Sequence, residues 1–170
     1  MDPVHLMNTC WADRHGRHDA LTSATDLVLL VPEVPGRPRS AEVEAWRSLR
    51  TALRSLAAEV TGDPRDAGQR WPMREAVALV NETAALVSIA PRLVASRGAL
   101  ARAVVPPTWP AARRAVALNA MDLLVDGNLR ACLAPGCVLY FVQDHPRREW
   151  CSDACGNRAR AARHYARHKG

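Results

Sequence analysis

The chain is poor in aromatic residues and has no long apolar run. Of its 170 residues, one is Phe and two are Tyr. A core made mainly of Ala, Leu and Val favours helices over sheets. The longest apolar stretch, "LVLLV" at 27–31, is far shorter than the roughly 18 to 20 residues that span a bilayer. A membrane-spanning role is therefore not expected. The opening "MDPVHLMNTC" has neither a basic region nor an apolar one after it, so no secretory leader is expected and a cytoplasmic location is. No Ser/His/Asp set, phosphate-binding glycine loop or paired-carboxylate pattern stands out, which argues against an enzyme. There is no internal repeat and no low-complexity segment.

What is present is unevenly distributed. Apolar residues make up 48% of the chain, enough for one packed domain with a small appended module. The net charge is +6, and nearly all of it sits at the end. From residue 147 onward, Arg147, Arg148, Arg158, Arg160, Arg163, Arg167 and Lys169 face only Glu149 and Asp153, whereas residues 1–128 carry 15 Arg against 14 acids. A neutral body with a basic tail implies an anionic partner, nucleic acid or an acidic membrane surface.

The body reads as helical. Residues 1–22 look irregular, and "TSATDLVLL" follows as a short helix, with Ser23 and Asp26 spaced as a capping box. Pro32, Pro35 and Pro38 mark a loop. From 41 to 60, Val43, Trp46, Leu49, Leu53, Leu56 and Val60 recur at three- and four-residue steps, the signature of an amphipathic helix; Ser40 is its expected cap. A second helix is predicted from about Pro72 to Ile89, burying Met73, Ala76, Val77, Val80, Ala84 and Val87. Residues 92–107 fit either a strand pair or a short helix. A third long helix is predicted from about Pro110 to Val125, with Ala112, Val116, Leu118, Leu123 and Leu124 available to the core.

Four of the five cysteines form the pattern Cys132-x4-Cys137-x13-Cys151-x3-Cys155. Two close pairs with a short loop between them are what a closed tetrahedral zinc site needs, each tight turn aiming two sulfurs at one ion. Clustered cysteines in a cytosolic chain read as ligands rather than disulfides. Four thiolates leave no open coordination position, so the ion would be structural. The intervening "VLYFVQDHPRREW" fits a small hairpin or knuckle, and so few core-forming residues would leave much of the folding free energy to the metal. The other reading of these residues is four reduced cysteines buried for structural reasons alone.

The run "RACLAPGCVLYFVQD…REWCSDACGNRARAARHYARH" resembles the CGNR zinc finger, whose name is spelled here by Cys155, Gly156, Asn157 and Arg158. Trp150-Cys151-Ser152, Phe141, Asp144 and the basic tail are similar to that family too. The family pairs this finger with an N-terminal helical ABATE domain, echoed here by Asn8-Thr9, Asp26-Leu27 and Leu79-Val80-Asn81. Two positions depart from its pattern: Glu149 stands where Arg is frequent, and His145-Pro146 where Ser is; neither is a thiolate. The resemblance implies a bacterial transcription regulator of a stress-responsive type that binds DNA through the finger. The expected organisation is an ABATE-like helical domain over 1–128, with a ligand-sensing role, and a four-cysteine finger over 129–170. The expected fold is mostly α, with a treble-clef-like or knuckle finger ending in a basic helix.

After Cys155, "GNRARAARHYARHKG" holds good helix formers and no proline. On a helix, Arg160, Arg163, His164, Arg167 and His168 form one cationic strip, with small alanines between them. Asn and Arg suit bidentate contacts to base edges, while further Arg contacts to phosphate make binding salt-sensitive. Asn157, Arg158, Arg160, Arg163 and Arg167 are therefore the expected nucleic-acid contacts; the plainer reading is a solvated terminal helix.

Fainter signals lie in the body. Asn8 and Asn81 are candidates for a small-molecule pocket or for structural amides. Cys10, His15 and His18, with His5, all fall within 14 residues and are candidates for a second metal or haem site, although their spacing matches no trusted motif. Trp46, Trp71 and Trp109 read as core or interface residues. Two rival functions stand beside the regulator, which could act as a homodimer. One is a small-molecule-binding or catalytic body clasped by a structural finger, and the other is an adaptor for an acidic protein.

Overall fold

The strongest helical periodicity in the sequence becomes the longest element of the computed structural model, α3 (Ser40–Val60). The structure describes residues 1–65, 70–86, 92–96, 99–103 and 107–168. Along α3, Val43, Trp46, Leu49, Leu53 and Leu56 are buried, each large side chain worth about 1.5–3 kcal/mol of transfer free energy. Ala52, Ala57 and Ala58 are buried as well, keeping the helix surface flat enough for α4 (Met73–Ala84) and α5 (Trp109–Val125) to pack against it and against each other. Ser40 is the first helical residue rather than the cap; Arg39 holds the N-cap position and gives no side-chain bond there.

Before α3 come α1 (Pro3–Asn8), a hairpin of β1 (Cys10–Asp13) and β2 (Gly16–Asp19), and α2 (Ala24–Leu30). The first 22 residues are thus not irregular, as their sequence suggests. The six residues of α1 are too few to display a period, but Asp2 accepts from His5 N at 2.9 Å and Pro3 suits the first helical position. The hairpin turns at Gly16, whose φ of +123° favours glycine. The capping box of α2 forms as predicted, with Ser23 Oγ accepting from Asp26 N and the Asp26 carboxylate accepting from Ser23 N.

The second predicted helix is shorter than expected, starting at Met73 and capped by Ala85; Val87 and Ile89 lie outside the described residues. Of its apolar stripe, Ala76, Val80 and Ala84 are buried, but Met73 and Val77 are exposed. Val60 and Leu118 are likewise exposed. Of the stretch 92–107, the described residues 92–96 and 99–103 adopt the first of the two expected forms, an antiparallel pair of β3 (Arg92–Ser96) and β4 (Ala99–Ala103), and 97–98 and 104–106 lie outside the described residues. Arg113 of α5 pairs with Glu42 of α3, fixing the register of those two helices.

The chain ends in β5 (Leu129–Ala131), β6 (Tyr140–Val142) and α6 (Asp153–His168). β5 and β6 pair antiparallel across the first cysteine knuckle, with Ala131 opposite Tyr140. This hairpin is placed differently from the one expected within 138–150. Successive strand residues face opposite ways, and here that alternation joins two cores. Tyr140 belongs to the main hydrophobic core with Leu129, while its neighbour Phe141 belongs to a small one with the cysteines. The fold is mostly helical, a helical body carrying a small cysteine finger that ends in a basic helix. No described helix is long and apolar enough to cross a membrane.

Candidate metal centre and nucleic-acid interface

Each cysteine pair is aimed by its own local structure. Between Cys132 and Cys137 the chain turns through Gly136 at φ +74°, and Cys137 N donates to Ala134 O at 2.9 Å. Cys132 N donates to Leu139 O at 2.9 Å, closing the knuckle. Cys151 and Cys155 flank the start of α6, where Ser152 Oγ accepts from Cys155 N at 3.3 Å. The four sulfurs all lie within 4.8 Å of one another. Cys137 Sγ and Cys151 Sγ are 3.8 Å apart, and Cys151 Sγ and Cys155 Sγ 3.4 Å. A tetrahedron with metal–sulfur bonds of about 2.3 Å has edges of about 3.8 Å, so this spacing fits one zinc ion.

Contacts between the sulfurs shift their protonation in opposite directions. The Cys132 thiol drops to about 4, chiefly because Cys137 donates to its sulfur, against the opposing effect of burial. Cys137 is correspondingly raised, and Cys151 is pushed up to about 12, first by burial and then by its contact with Cys155. Four thiolates held this close need a cation to offset their mutual repulsion. Arg158 supplies part of the positive field by donating to Cys155 Sγ at 3.0 Å. Among the described residues this is the only group of three or more candidate metal ligands. Cys10, His15, His18 and His5 do not assemble. His18 instead stacks on Trp11 and meets Asp13 at 2.9 Å.

The helical body reaches into the metal centre through residues that the sequence did not mark. Arg65 donates to the carbonyls of both Cys132 and Cys137, at 2.6 and 2.7 Å. Its position is fixed by a two-point ion pair with Asp63, at 2.7 Å each. Asp63 is buried, and Tyr140 Oη donates to it at 2.9 Å. Burial works to raise the Asp63 carboxyl, but the hydrogen bonds from Arg65 outweigh it and hold the group below its usual value. Arg54 of α3 bridges the units in the same way, donating to Met7 O and to Val138 O at 2.8 and 2.9 Å. Nothing in "GDPRD" distinguishes Asp63 and Arg65 from an ordinary polar linker, since their partners are 67 to 77 residues away.

Asn8 is engaged in the same junction. Its side chain donates to Tyr140 O at 2.8 Å and accepts from Tyr140 N at 3.0 Å, pairing with the edge of β6 as a strand would. Asn81 is exposed on α4, so the structure does not bring the two amides to one pocket. The structural reading of Asn8 replaces the pocket reading because both ends of its amide are occupied by backbone.

The basic residues sit on α6 and its approach. Gly156 is buried in the first turns, where an added Cβ would lie 3.1 Å from the Trp150 ring. The indole therefore closes directly on the helix backbone. Asn157 Oδ1 accepts from Arg160 at 2.6 Å. Arg160, Arg163, His164 and Arg167 line one shallow depression, and Arg160 also borders a second with Arg147, Arg148, Trp150 and Ser152. From Arg160 to His168 every residue is exposed, so this half of the helix stands out from the described fold. Arg158 is turned toward Cys155, whereas Arg160, Arg163 and Arg167 point to solvent on the strip the sequence predicted.

Comparison with known families gives two matches that together cover nearly the whole chain. Residues 128–168 match the CGNR zinc finger model. Residues 3–127 match the ABATE model, described as "Putative stress-induced transcription regulator". A search of curated proteins finds no significant match.

Proposed function

Because the chain belongs to the ABATE family and carries a CGNR zinc finger at its C-terminal end, we propose that it is a DNA-binding transcription regulator whose zinc ion aims α6 at the duplex. In this reading Cys132, Cys137, Cys151 and Cys155 hold the ion, and residues 129–170 are the DNA-reading unit. Residues 1–128 sense an effector or mediate assembly, including a homodimer. The ion supplies rigidity to the finger; its closed thiolate shell does no chemistry on a substrate. Four cysteines kept reduced for metal suit the cytoplasm of a bacterium.

The observation that carries the proposal is the exposed half of α6. A helix exposed for nine residues, and that shows Arg160, Arg163 and Arg167 on one strip, gains little from the rest of the fold. Its small alanines leave the flank narrow enough for a major groove about 12 Å wide. Asn157 and Arg160 stand nearest the rigid end and suit base edges, while Arg163, Arg167 and Arg147 suit phosphates. Arg158 serves the cluster first, through Cys155 Sγ, and reaches DNA only from that position.

Reversing charge at Arg160, Arg163 and Arg167 in the full chain tests the reading. The variant is expected to retain one zinc and the wild-type melting temperature but to lose affinity for a random duplex pool by at least about a hundredfold. Each lost phosphate contact also lowers the salt slope by about 0.9. Unchanged duplex affinity in a zinc-replete variant contradicts the proposal. Unchanged affinity for DNA together with lost affinity for an acidic protein would favour the adaptor reading.

A further inference from the structure

A second basic site lies in the body, away from α6. The β1–β2 hairpin, the middle of α3, Arg70 and Val138 enclose a cleft of about 290 Å³. Among the described residues, Arg17, Arg50, Arg54, Arg70 and the carboxylate of Asp19 line it. Asp19 is already matched, because Arg50 grips both of its oxygens at 2.5 and 2.7 Å. Arg54 is not matched in that way. It is 9% exposed, and its hydrogen bonds go to the neutral carbonyls of Met7 and Val138, with the Tyr140 ring 5.2 Å away. Among the described residues, Arg70 bonds the carbonyls of Asp63 and Arg65. A buried guanidinium facing dipoles rather than a carboxylate is costly to keep, and here it faces an opening.

The cleft also has an aromatic wall, formed by Trp11 and His18. Trp11 is partly exposed and stacks on His18 with ring centroids 4.0 Å apart. Cys10, the one cysteine outside the metal cluster, forms part of the wall. The volume is at the small end of ligand pockets, which run from about 300 to 1,000 Å³, and so suits a single ring with one charged group.

We propose that this cleft binds a small organic anion, a carboxylate or phosphate on a planar body, with Arg54 and Arg70 taking the charge and Trp11 the plane. The proposal rests on the effector-sensing part of the function above and gives it a site and a ligand class. Arg54 also carries the connection to the finger. The Val138 carbonyl it holds follows Cys137 directly in the chain, so an anion that draws Arg54 into the cleft loosens a contact at the first knuckle.

Cys10 provides a local probe. In the full zinc-loaded chain, its alkylation by iodoacetamide, followed by mass spectrometry, is measured with phenyl phosphate, benzoate or neutral benzamide. One of the two anions is expected to slow alkylation about tenfold at about ten times its Kd, and which one does so separates phosphate from carboxylate recognition. Benzamide is expected to have no effect. Arg70→Gln, at an exposed position that leaves the core intact, is expected to weaken protection about tenfold, and Trp11→Ala to weaken it by a smaller factor. Absence of protection by both anions at millimolar concentration overturns the proposal, as does equal protection by benzamide or protection unchanged in Arg70→Gln. Duplex affinity measured on the same samples separates the two claims. Protection without a change in duplex affinity supports the site and removes its effector role; no protection with intact duplex binding removes the site and leaves the regulator.

Discussion

In the helical body, Leu6, Leu21, Leu27, Trp46, Leu49 and Leu53 are sealed from solvent, with Val31, Val116 and a bed of alanines around them. In the finger, the separate small core is Cys132, Ala134, Cys137, Phe141 and Cys155. The body has enough apolar area to be held by burial. The finger does not, and three of the five residues of its own small core are metal ligands in waiting. Loss of the ion should therefore be a folding event for one region and a minor one for the other. The two regions meet at Tyr140, which the body claims by packing, by the Asn8 amide and by Asp63.

Metal removal breaks the comparison most sharply. Chelation, or Cys137→Ser, should forfeit zinc-binding free energy on the order of 10 kcal/mol. Proteolysis mapped by mass spectrometry is expected to cut first within 129–168 while the body stays protected. Simultaneous loss of both regions would mean that the body depends on the metal as well.

Next in size is Arg65→Ala. It strands the buried Asp63 and releases the carbonyls of Cys132 and Cys137, at a cost of about 3 kcal/mol. Zinc affinity should fall roughly 10- to 100-fold, as for other losses around metal ligands. Leu53→Ala in the body should cost a similar 2–5 kcal/mol yet leave zinc affinity unchanged. Denaturant titration and competition with a chromogenic chelator measure the two effects separately; matching losses of zinc affinity in both variants would erase the distinction.

Acid should weaken the body through a smaller, reversible contribution. The Asp19 carboxyl is lowered in the folded state: burial opposes this, but Arg50 and Leu21 N prevail. A lowered folded-state value means that the stabilisation is complete above the unfolded value near 3.9 and is lost as pH falls through the folded one. The stability difference between wild type and Asp19→Asn is thus expected to be constant from pH 7 to about 5 and to shrink below about 4. A difference that grows on acidification would reverse the assignment.

Gly156→Ala is the smallest of the set. Alanine gains about 0.8–1 kcal/mol in helix propensity, whereas crowding the Trp150 ring at 3.1 Å costs about 1–3 kcal/mol. Crowding wins narrowly, so the zinc-loaded melting temperature should drop by a few degrees. A rise would show that Trp150 can yield.

What could be read from the sequence followed the range over which each signal acts. The cysteine module was legible because both pairs are local turns, and α3 was legible because Val43 to Leu56 repeat within one element. The capping box at Ser23 is a three-residue signal and forms as expected. The clasp was not legible: Asn8 and Tyr140 are 132 residues apart, and no local pattern tells a strand-mimicking amide from a ligand-binding one. Arg50 and Arg54 fall between the apolar positions of an amphipathic helix, yet the neighbouring α1, β2 and the residue after Cys137 cover them. The same long-range closure creates the arginine-lined cleft, which no motif in the sequence marks.

The central claim is that the metal aims a basic helix at DNA, and one titration tests it most directly. Binding of the full chain to a fluorescent random duplex is followed by anisotropy across a salt series, zinc-loaded and after chelation. The account predicts that log affinity for the zinc-loaded protein falls linearly with log salt, with a slope of roughly −3 to −4 if about four phosphates are contacted. It predicts that chelation weakens binding at every salt concentration, although α6 keeps its charges. Equal binding with and without zinc would show that the tail acts as an unoriented polycation, and absence of salt-sensitive binding by the zinc-loaded protein would contradict the account outright.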